Sequence, residues 1–361
     1  MNLLMVTGLG SATDLAQGKK GAFYNTLEEF HKYWERIDII IPRVSNPQVA
    51  ELFGNVFLHT SPWPLILHPL FFIRKGISLH KKYHFNLMTV QDFPPFYNGI
   101  GAFLLWCGIR VPYILEIHHI PGYPKSANLK EWLYRIYARL FLGLDAWPAR
   151  AIRVVNKHQT KEFLIRVGVS ASKIIYIPSL YIDQSIFHPT NDPKEYDLIF
   201  VGRLAENKGI DLFIATSKKL GIKTLIIGDG PERERIQKEI FGQSNITFHG
   251  WAKDSHEVAD LLNKSRLLIM PSFNEGGPRV VVEAMACGVP VLATPVGIVP
   301  DIKDACTVID WKVDDIVNKI RHLLSDEQTY ESKVKLGLEV VKQFKKELAV
   351  KNYAEKLQSL I

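Results

Sequence analysis

Short apolar runs alternate with segments of helical spacing along the second half of the chain. The runs lie at 196–201, 224–227, 245–248, 267–270 and 289–293. Strands that alternate with helices in this rhythm predict a doubly wound sheet of parallel strands. Ligands of such sheets bind at the carboxyl ends of the strands, so the loops that follow these runs are the first places to look for chemistry.

The first half contains runs of the same kind. Met1–Thr7 predicts a strand, and Val111–Ile117 is a near-continuous apolar run broken only by Glu116. The opening MNLLMVTGLG has no basic segment before its apolar run, so we interpret it as a strand and not as a signal peptide. No apolar stretch of about 20 residues is free of charge and proline, so the sequence predicts no membrane span.

Length and composition predict a two-domain globular protein. The chain has 361 residues, of which 47% are hydrophobic and 22% are charged. Its cysteines are Cys107, Cys287 and Cys306, which are odd in number and far apart. They suggest neither a disulfide framework nor a zinc site, and a reducing, cytoplasmic compartment fits best.

Charge divides the chain into a basic first half and a near-neutral remainder. Residues 1–185 carry 20 Lys and Arg against 12 Asp and Glu, whereas the whole chain carries 44 against 37. This asymmetry predicts that the first half meets an anionic partner, either the phosphates of an acceptor or a membrane surface. The alternative is a solvated basic surface without a partner.

Two segments of the first half could contact a membrane interface. Basic and aromatic clusters interleave at 63–83, and residues 129–144 place Arg135 and Arg139 on one helical face and apolar residues on another. An edge helix with its loop explains the first pattern as well, and core packing explains the second. Both alternatives stay open at the level of sequence.

The stretch 274–290, NEGGPRVVVEAMACGVP, contains the most informative chemistry. We predict a helix over 278–287, with Pro278 at its first position and Gly288 just past its end. Four residues around its start carry backbone N–H groups without intrahelical partners, namely Gly276, Gly277, Arg279 and Val280. Together with the positive end of the helix dipole they form an anion site. Glu275 lies beside it and Glu283 lies within the helix, so the ligand should be both anionic and rich in hydroxyls, as a nucleotide sugar is.

A second loop supplies positive charge. GRLAENKG at 202–209 follows the strand at 196–201 and places Arg203 and Lys208 at its carboxyl end. Breaking a sugar–phosphate bond leaves negative charge on a diphosphate, which two cations and a helix N-terminus can stabilise without a metal. No D-x-D pair of the kind that holds Mg²⁺ or Mn²⁺ occurs in the sequence, so we expect neither a metal nor another cofactor.

His118 and His119 follow the strand at 111–117. A histidine at a strand end is usually structural, and counting residues does not decide between the two. Asp92 follows another apolar run and is a weaker candidate for the same cleft. The glycines of GLGSATDLAQGKKGAF at 8–23 are spaced differently from a G-x-G-x-x-G fingerprint.

The second half resembles the retaining, nucleotide-sugar-dependent glycosyltransferases of family 4. The resemblance rests on EGGPRVVVEAMACGVPV, which matches the E-x7-E signature EGxPxxxxEAMAxGxPV with Gly277 at the variable position before the proline, and on GRLAENKG. It is weaker in IPSLYIDQSIFHP at 177–189, where Ser179 and Leu180 replace Asn-Gly of the family's IPNGVDxxxFxP, and in the loop around Gly297 and Asp301, which departs from Gly-Gly-Glu.

The resemblance implies a GT-B fold, in which two Rossmann-like doubly wound domains face each other across a cleft. We expect an N-terminal acceptor domain at 1–185 and a donor-binding domain at 186–344, with a C-terminal helix at 345–361 that packs back on the first domain. The implied reaction transfers a sugar from a nucleotide diphosphate sugar to a hydroxyl of a glycan or lipid-linked acceptor, with retention at the anomeric carbon, in envelope glycan, lipopolysaccharide or glycolipid assembly. The protein would act in the cytoplasm or at the cytoplasmic face of the membrane, without a nucleic-acid partner.

Family roles carry over to matching positions only. Arg203 and Lys208 would hold the diphosphate, Glu275 the hydroxyls of the transferred sugar and Glu283 the ribose. His118 is the best match to a histidine near the transferred sugar, and Gly18 or Gly21 is a weak match to a glycine near the phosphates. The alternatives are a sugar-nucleotide epimerase, a phosphorylase and a non-catalytic partner with the same fold. The phosphorylase would need a lysine for pyridoxal phosphate, and none is evident. A non-catalytic partner would have a disused site, which need not keep the charged residues together.

Overall fold

The computed structural model describes the backbone of residues 1–361 and every side chain other than that of Ala22. The chain forms two compact units. The first contains residues 1–120, 134–178 and 347–361, and the second contains residues 121–133 and 179–346. The break between Pro178 and Ser179 precedes the predicted boundary at 185, and the sequence did not indicate that 121–133 clusters with the second unit.

The first unit contains a sheet of eight strands. They are β1 (Asn2–Val6), β2 (Arg36–Ile41), β3 (Glu51–Leu52), β4 (Val56–Thr60), β5 (Leu87–Gln91), β6 (Tyr113–Ile117), β7 (Ala151–Val154) and β8 (Ile174–Tyr176). Their order is β3-β4-β2-β1-β5-β6-β7-β8, and every pairing is parallel except that of β3 with β4. The order reverses between β1 and β5, which is the mark of a doubly wound sheet.

Seven helices belong to this unit wholly or in large part. They are α1 (Ser11–Ala16), α2 (Ala22–Phe30), α3 (His68–Tyr83), α4 (Tyr97–Ile109), α5 (Leu129–Ala146), α6 (Gln159–Arg166) and, at the end of the chain, α13 (Lys346–Gln358). Tyr353 of α13 stacks on Phe30 at 4.8 Å between ring centroids, and Leu357 is fully buried in the same core. The last helix therefore contributes to the core of the first unit.

The second unit contains a six-stranded, fully parallel sheet. Its strands are β9 (Tyr196–Val201), β10 (Thr224–Ile227), β11 (Ile246–Gly250), β12 (Ser265–Met270), β13 (Val291–Ala293) and β14 (Cys306–Val308). Their order is β11-β10-β9-β12-β13-β14. The prediction of a parallel doubly wound sheet is confirmed, and the sequence located its first five strands within about two residues.

Six helices cover this sheet. They are α7 (Ile210–Leu220), α8 (Arg233–Glu239), α9 (Ser255–Asn263), α10 (Arg279–Ala286), α11 (Val313–Ser325) and α12 (Glu327–Val341). Consecutive residues of a central strand enter different cores: Leu198 and Phe200 of β9 pack with Phe213 of α7, whereas Ile199 packs with Val281 of α10. Because side chains alternate along a strand, an uninterrupted apolar run fills both helical layers.

Glu116, which interrupts the apolar run of β6, is buried in an ion pair. Its Oε1 accepts hydrogen bonds from Arg153 Nη1 at 2.8 Å and from the Tyr353 hydroxyl at 2.7 Å. Burial alone would raise the pKa of Glu116, but Arg153, His118 and Tyr353 together outweigh it and hold the pKa well below its usual range. The pair stays ionised inside the core of the first unit.

Asp92 and Asp145 form a second buried acidic group with the opposite behaviour. Asp92 is only 4% exposed, so it does not line an open surface and the prediction that it faces a cleft is wrong. Its Oδ1 accepts a hydrogen bond from the Gly99 N–H at 3.3 Å. Burial raises the pKa of Asp92 to about 7, and burial together with the charge of Asp92 raises the pKa of Asp145 to about 9. Two buried carboxyl groups that raise each other's pKa resist ionising together.

The three cysteines are free thiols. Cys107 is exposed on α4, whereas Cys287 and Cys306 are buried. Burial raises the pKa of each buried thiol to about 12.

Among the helices of the described chain, none is both long enough and apolar enough to cross a bilayer.

Substitution Asp145→Asn should flatten the dependence of stability on pH. An unfolded aspartate has a pKa of about 3.9, so between that value and the raised native values the unfolded state releases protons that the native state keeps. Stability of the wild type should therefore fall as pH rises from 5 to 9. The apparent Tm, followed by tryptophan fluorescence, should fall less in Asp145→Asn.

The matched control is Asp314→Asn, because Asp314 is exposed and its pKa is lowered by Lys219. It titrates below this pH range, so its variant should keep the wild-type slope. A slope in Asp145→Asn equal to that of the wild type would contradict a raised pKa of Asp145.

Candidate active site

The candidate site lies where the strand order of the second sheet reverses. β9 and β12 are neighbours, while β10 follows on one side and β13 on the other. The connections after β9 and after β12 therefore depart to opposite sides, which leaves a crevice at their carboxyl ends. These two connections are the loops 202–209 and 271–278, the segments that the sequence singled out.

The loop after β9 carries both predicted cations. Arg203 is exposed, and the structure gives its guanidinium no hydrogen-bond or ion-pair partner among the described side chains. Lys208 ends a 3₁₀ turn, Glu206–Lys208, and Gly209 follows with φ +66°. A Cβ on Gly209 would lie 2.2 Å from the carbonyl oxygen of Pro271, so only glycine lets the two loops approach this closely.

The loop after β12 brings Glu275 against Lys208. The Phe273 N–H donates to the Asn207 carbonyl at 2.8 Å, which joins the two loops through their backbones. Lys208 Nζ then lies 2.5 Å from Glu275 Oε1, and the Ser272 hydroxyl donates to the same oxygen at 2.9 Å. The structure thus brings together two charged groups that are 67 positions apart.

α10 begins one residue later than predicted. Pro278 has an extended ψ of 103° and serves as the N-cap, so it is not the first helical residue. The helix ends at Ala286, and Gly288 has the left-handed φ of +69° that suits the position after a helix end. The backbone amides of Arg279 and Val280 lie in the first turn, where no intrahelical acceptor exists.

Other segments of the protein approach Gly277 and Gly297 closely beside the start of α10. A Cβ on Gly277 would lie 3.0 Å from Leu180 Cδ2, and a Cβ on Gly297 would lie 2.6 Å from the Gly276 carbonyl oxygen. Leu180 stands where the resembled family has a smaller residue, and it is buried against the loop. The departure therefore fills space beside the predicted anion site.

Arg279 and Glu283 meet on one helix face as their spacing predicts. Arg279 Nε lies 3.6 Å from Glu283 Oε1. Burial raises the pKa of Glu283, and Arg279 partly opposes that shift. The Arg279 guanidinium also lies over the ring of Tyr181 at 5.3 Å, a cation–π contact that no local pattern predicts.

His118 belongs to the first unit, directly after β6. Its Nε2 lies 3.6 Å from Glu116 Oε2, beyond hydrogen-bonding distance but close to the negative charge of the buried Glu116–Arg153 pair. His118 and His119 are both partly exposed, and both remain candidates. In the described chain, no group of three or more His, Cys, Asp or Glu side chains could hold a metal ion.

Sequence reasoning missed the contribution of residues 121–133 to the second unit. Asn274, which is fully buried, donates from Nδ2 to Glu131 Oε2 at 2.8 Å and to the Lys125 carbonyl at 3.1 Å. Asn128 Nδ2 donates to Glu206 Oε2 at 2.6 Å. The segment is thus bonded to both candidate loops. Because its partners are more than 70 positions away, no local pattern could have revealed these contacts.

Lys125 adds a cation beside the Glu275 loop. Its Nζ lies 5.2 Å from the ring centroid of Phe273 and 4.9 Å from that of Trp311. Trp311 Nε1 in turn donates to the Ser272 carbonyl at 3.0 Å, which fixes the indole. The loop that carries Glu275 is therefore held by backbone, amide and aromatic contacts.

Two glycines of the segment 8–21, Gly10 and Gly21, are the N-caps of the first two helices. Gly10 has φ +108° and precedes α1, with the Thr13 hydroxyl donating to its carbonyl oxygen at 2.7 Å. Gly21 is the N-cap of α2. The predicted contact of Gly18 or Gly21 with phosphates stays a prediction.

A family model described as "Glycosyl transferases group 1" matches residues 182–343. Among curated relatives, an uncharacterised glycosyltransferase of Methanocaldococcus jannaschii is 32% identical over 82% of this chain and 83% of its own. N-acetyl-alpha-D-glucosaminyl L-malate synthase of Bacillus anthracis is 30% identical over 85% and 89%. The sulfoquinovosyl transferase of Arabidopsis thaliana is 24% identical over 87% of this chain, which covers 65% of that relative's length.

Solved structures share the fold. Sucrose-phosphate synthase from Thermosynechococcus elongatus aligns with a TM-score of 0.81 at 19% identity, covering 99% of this chain and 98% of its own. The Anabaena protein HepE in complex with UDP-glucose aligns with a TM-score of 0.72 at 18% identity, covering 99% and 100%. At these identities the likeness concerns architecture, which is the GT-B fold.

Substitution Asn274→Ala should destabilise the second unit by about 1–3 kcal/mol, because it leaves the Lys125 carbonyl without its donor and removes one from Glu131. Urea unfolding followed by tryptophan fluorescence measures the loss. The control is Asn128→Ala, whose exposed bond to Glu206 should contribute about 0–1 kcal/mol. Equal, small losses in both variants would show that Asn274 does not hold the segment.

Proposed function

Because the chain belongs to the group 1 glycosyltransferases, we propose that it transfers a sugar from a nucleotide diphosphate sugar to a hydroxyl acceptor with retention at the anomeric carbon. The observation that carries this proposal is the Lys208–Glu275 contact beside the start of α10. It combines a cation for phosphate, a carboxylate for sugar hydroxyls and the first-turn amides of α10 at one switch point. The UDP-glucose complex of HepE, a protein with the same fold, supports a nucleotide sugar as donor.

The proposed donor contacts follow from the charges of the site. Arg203 and Lys208 hold the diphosphate together with the amides of Gly276, Gly277, Arg279 and Val280. Two cations and a helix N-terminus stabilise the charge that develops on the leaving group, so the proposal needs no metal. Among the described side chains Arg203 has no partner to give up, whereas Lys208 keeps Glu275 within reach of the same ligand.

Two carboxylates of the second unit add to the proposed donor contacts. Glu275 accepts hydrogen bonds from hydroxyls of the transferred sugar, and Glu283 accepts from the ribose diol. Arg279 lies next to Glu283, so the carboxylate can remain ionised in a site where burial favours its neutral form. We extend the proposal to His118, which the family resemblance assigns to a hydroxyl of the transferred sugar.

The proposed reaction proceeds at one face of the sugar. The bond between the anomeric carbon and the phosphate oxygen breaks, and its electron pair goes to the diphosphate. The acceptor oxygen bonds to the anomeric carbon from the same face, and its proton passes to the leaving phosphate. The residues of the chain position both reactants and stabilise charge.

We place the acceptor at the cytoplasmic face of a membrane, as a lipid-linked or envelope glycan. The basic first half of the sequence supports an anionic environment there. Relatives named for glycolipid and envelope chemistry, the sulfoquinovosyl transferase and a putative teichuronic acid glycosyltransferase of Bacillus subtilis, support this class of acceptor.

Substitutions Lys208→Ala and Glu275→Ala should each lower transfer at least 100-fold, because each removes a contact to the leaving group or the sugar. Release of nucleotide from purified protein with a panel of sugar nucleotides measures transfer and hydrolysis, and circular dichroism checks the fold. The matched control is Lys319→Ala, which breaks a helix-surface ion pair with Asp315 and should retain activity. Full activity in either site variant would reject the assignment.

One nucleotide among UDP, GDP and ADP should raise the Tm of the wild type by several degrees, with and without Mg²⁺. A ligand that binds only the native state raises the free energy of unfolding by about 2.7 kcal/mol when its concentration is about 100 times its dissociation constant. Thermal-shift measurements with the three nucleotides and their sugar conjugates identify the base. No shift with any of them, together with no nucleotide release, would favour a non-catalytic role.

A further inference from the structure

Exposed hydrophobic side chains concentrate in the segment 66–147, most of which belongs to the first unit. Of the twenty large hydrophobic side chains that the described structure exposes, twelve lie between Ile66 and Trp147. The second-unit segment 179–346 exposes three, although it is longer. Single exposed hydrophobic residues are ordinary, but a concentration of this kind marks a contact surface.

α5 is apolar on two opposite faces. Ala138, Leu142 and Ala146 are buried against the unit. On the other side, Leu140 and Leu144 are exposed at helical spacing, and similar exposed residues recur along the whole helix. A helix that only completed a core would be polar on its outer face, so core packing accounts for one face and leaves the other unexplained.

Exposed residues of α3 and α4 continue this face. A Cβ on Gly99 of α4 would lie 2.3 Å from Asp145 Cβ of α5, and a Cβ on Gly101 would lie 2.4 Å from Phe72 Cζ of α3. Ile100, exposed, stands between these two contacts, and Leu144 precedes Asp145. We call the exposed face formed by Leu70, Ile100, Leu104, Leu140, Leu144 and Trp147 the three-helix apolar surface.

Trp147 directly follows α5, and the residue is 78% exposed. The backbone beneath it is fixed, because Lys173 Nζ donates to the carbonyl oxygens of Trp147 at 2.5 Å and Ala149 at 3.0 Å. A rigidly held, exposed tryptophan at a helix end is suited to the boundary between lipid and water, where its ring is apolar and its N–H stays hydrated.

Positive charge dominates the segment that carries this surface. Residues 61–150 contain ten Lys and Arg, including Arg74, Lys75 and Arg139, and four Asp and Glu. Three of the four acidic residues, Asp92, Glu116 and Asp145, are buried. The fourth, Glu131, is hydrogen-bonded to the Ala127 N–H and to Asn274. The segment therefore presents positive charge with little outward negative charge to balance it.

We propose that the three-helix apolar surface docks the protein on an anionic lipid bilayer. The inference rests on the membrane-linked acceptor of the proposed function and adds the surface that would meet the membrane. Apolar side chains enter the boundary between headgroups and acyl chains, while the flanking Lys and Arg face anionic headgroups. A second copy of this chain is a poorer occupant, because self-association would bring two positively charged segments together.

Vesicle flotation tests this surface without using catalysis. Wild-type protein should float with vesicles of phosphatidylglycerol and phosphatidylcholine, and should float at least 10-fold less with phosphatidylcholine alone or in high salt. The double substitution Leu144→Ser/Trp147→Ser should reduce flotation on anionic vesicles at least 10-fold. The matched control, Phe241→Ser/Trp251→Ser, removes equally exposed residues from the second unit and should float as the wild type does.

Three results would overturn the proposal. They are wild-type protein that stays with the unbound fraction, equal loss in both double variants, and concentration-dependent self-association that only the Leu144→Ser/Trp147→Ser variant loses. Nucleotide thermal shifts, measured on the same samples, distinguish failure of the membrane proposal from failure of the donor proposal. A retained shift without flotation rejects the membrane surface alone, whereas flotation without any shift rejects the proposed donor alone.

Discussion

The second unit depends on the pairing of β9 with β12 in its sheet. Leu267 lies beside Leu198 and Leu268 beside Ile199, in parallel register. Because parallel neighbours end at the same edge, this pairing places two loops side by side that are about 70 positions apart. Gly209 then lets them approach within backbone hydrogen-bonding distance, and Lys208 reaches Glu275. The chemistry of the candidate site is therefore a consequence of strand order.

Local features of the site could be predicted from the sequence and distant ones only in part. The helix at α10, its terminal glycine and the Arg279–Glu283 contact follow from spacing within one helix, and the structure has them. Sheet topology follows from the alternation of strands and helices. The contact of Asn274 with Glu131 joins positions 143 apart and depends on where the chain folds back, which no periodicity encodes.

The buried acidic residues also depend on distant contacts that the sequence does not predict. Glu116 and Asp92 both end or interrupt apolar strands and look alike in the sequence. In the fold, Glu116 meets Arg153 and stays ionised, whereas burial and the neighbouring carboxyl group raise the pKa of Asp145 and burial raises that of Asp92. The partner decides the charge state of a buried carboxyl group, since burial alone acts on both in the same direction. An interpretation of Asp92 as a cleft residue failed because its partner lies in a helix 53 positions away in the printed sequence.

The three cysteines differ in their expected reactivity toward thiol reagents. Cys287 and Cys306 are buried with raised pKa values, so at neutral pH they remain unreactive thiols. Cys107 is exposed on α4, three residues after Leu104 and thus on the same side of the helix. A thiol-reactive fluorophore should therefore attach at one position of the natural chain, next to the three-helix apolar surface, and report the polarity of whatever covers it.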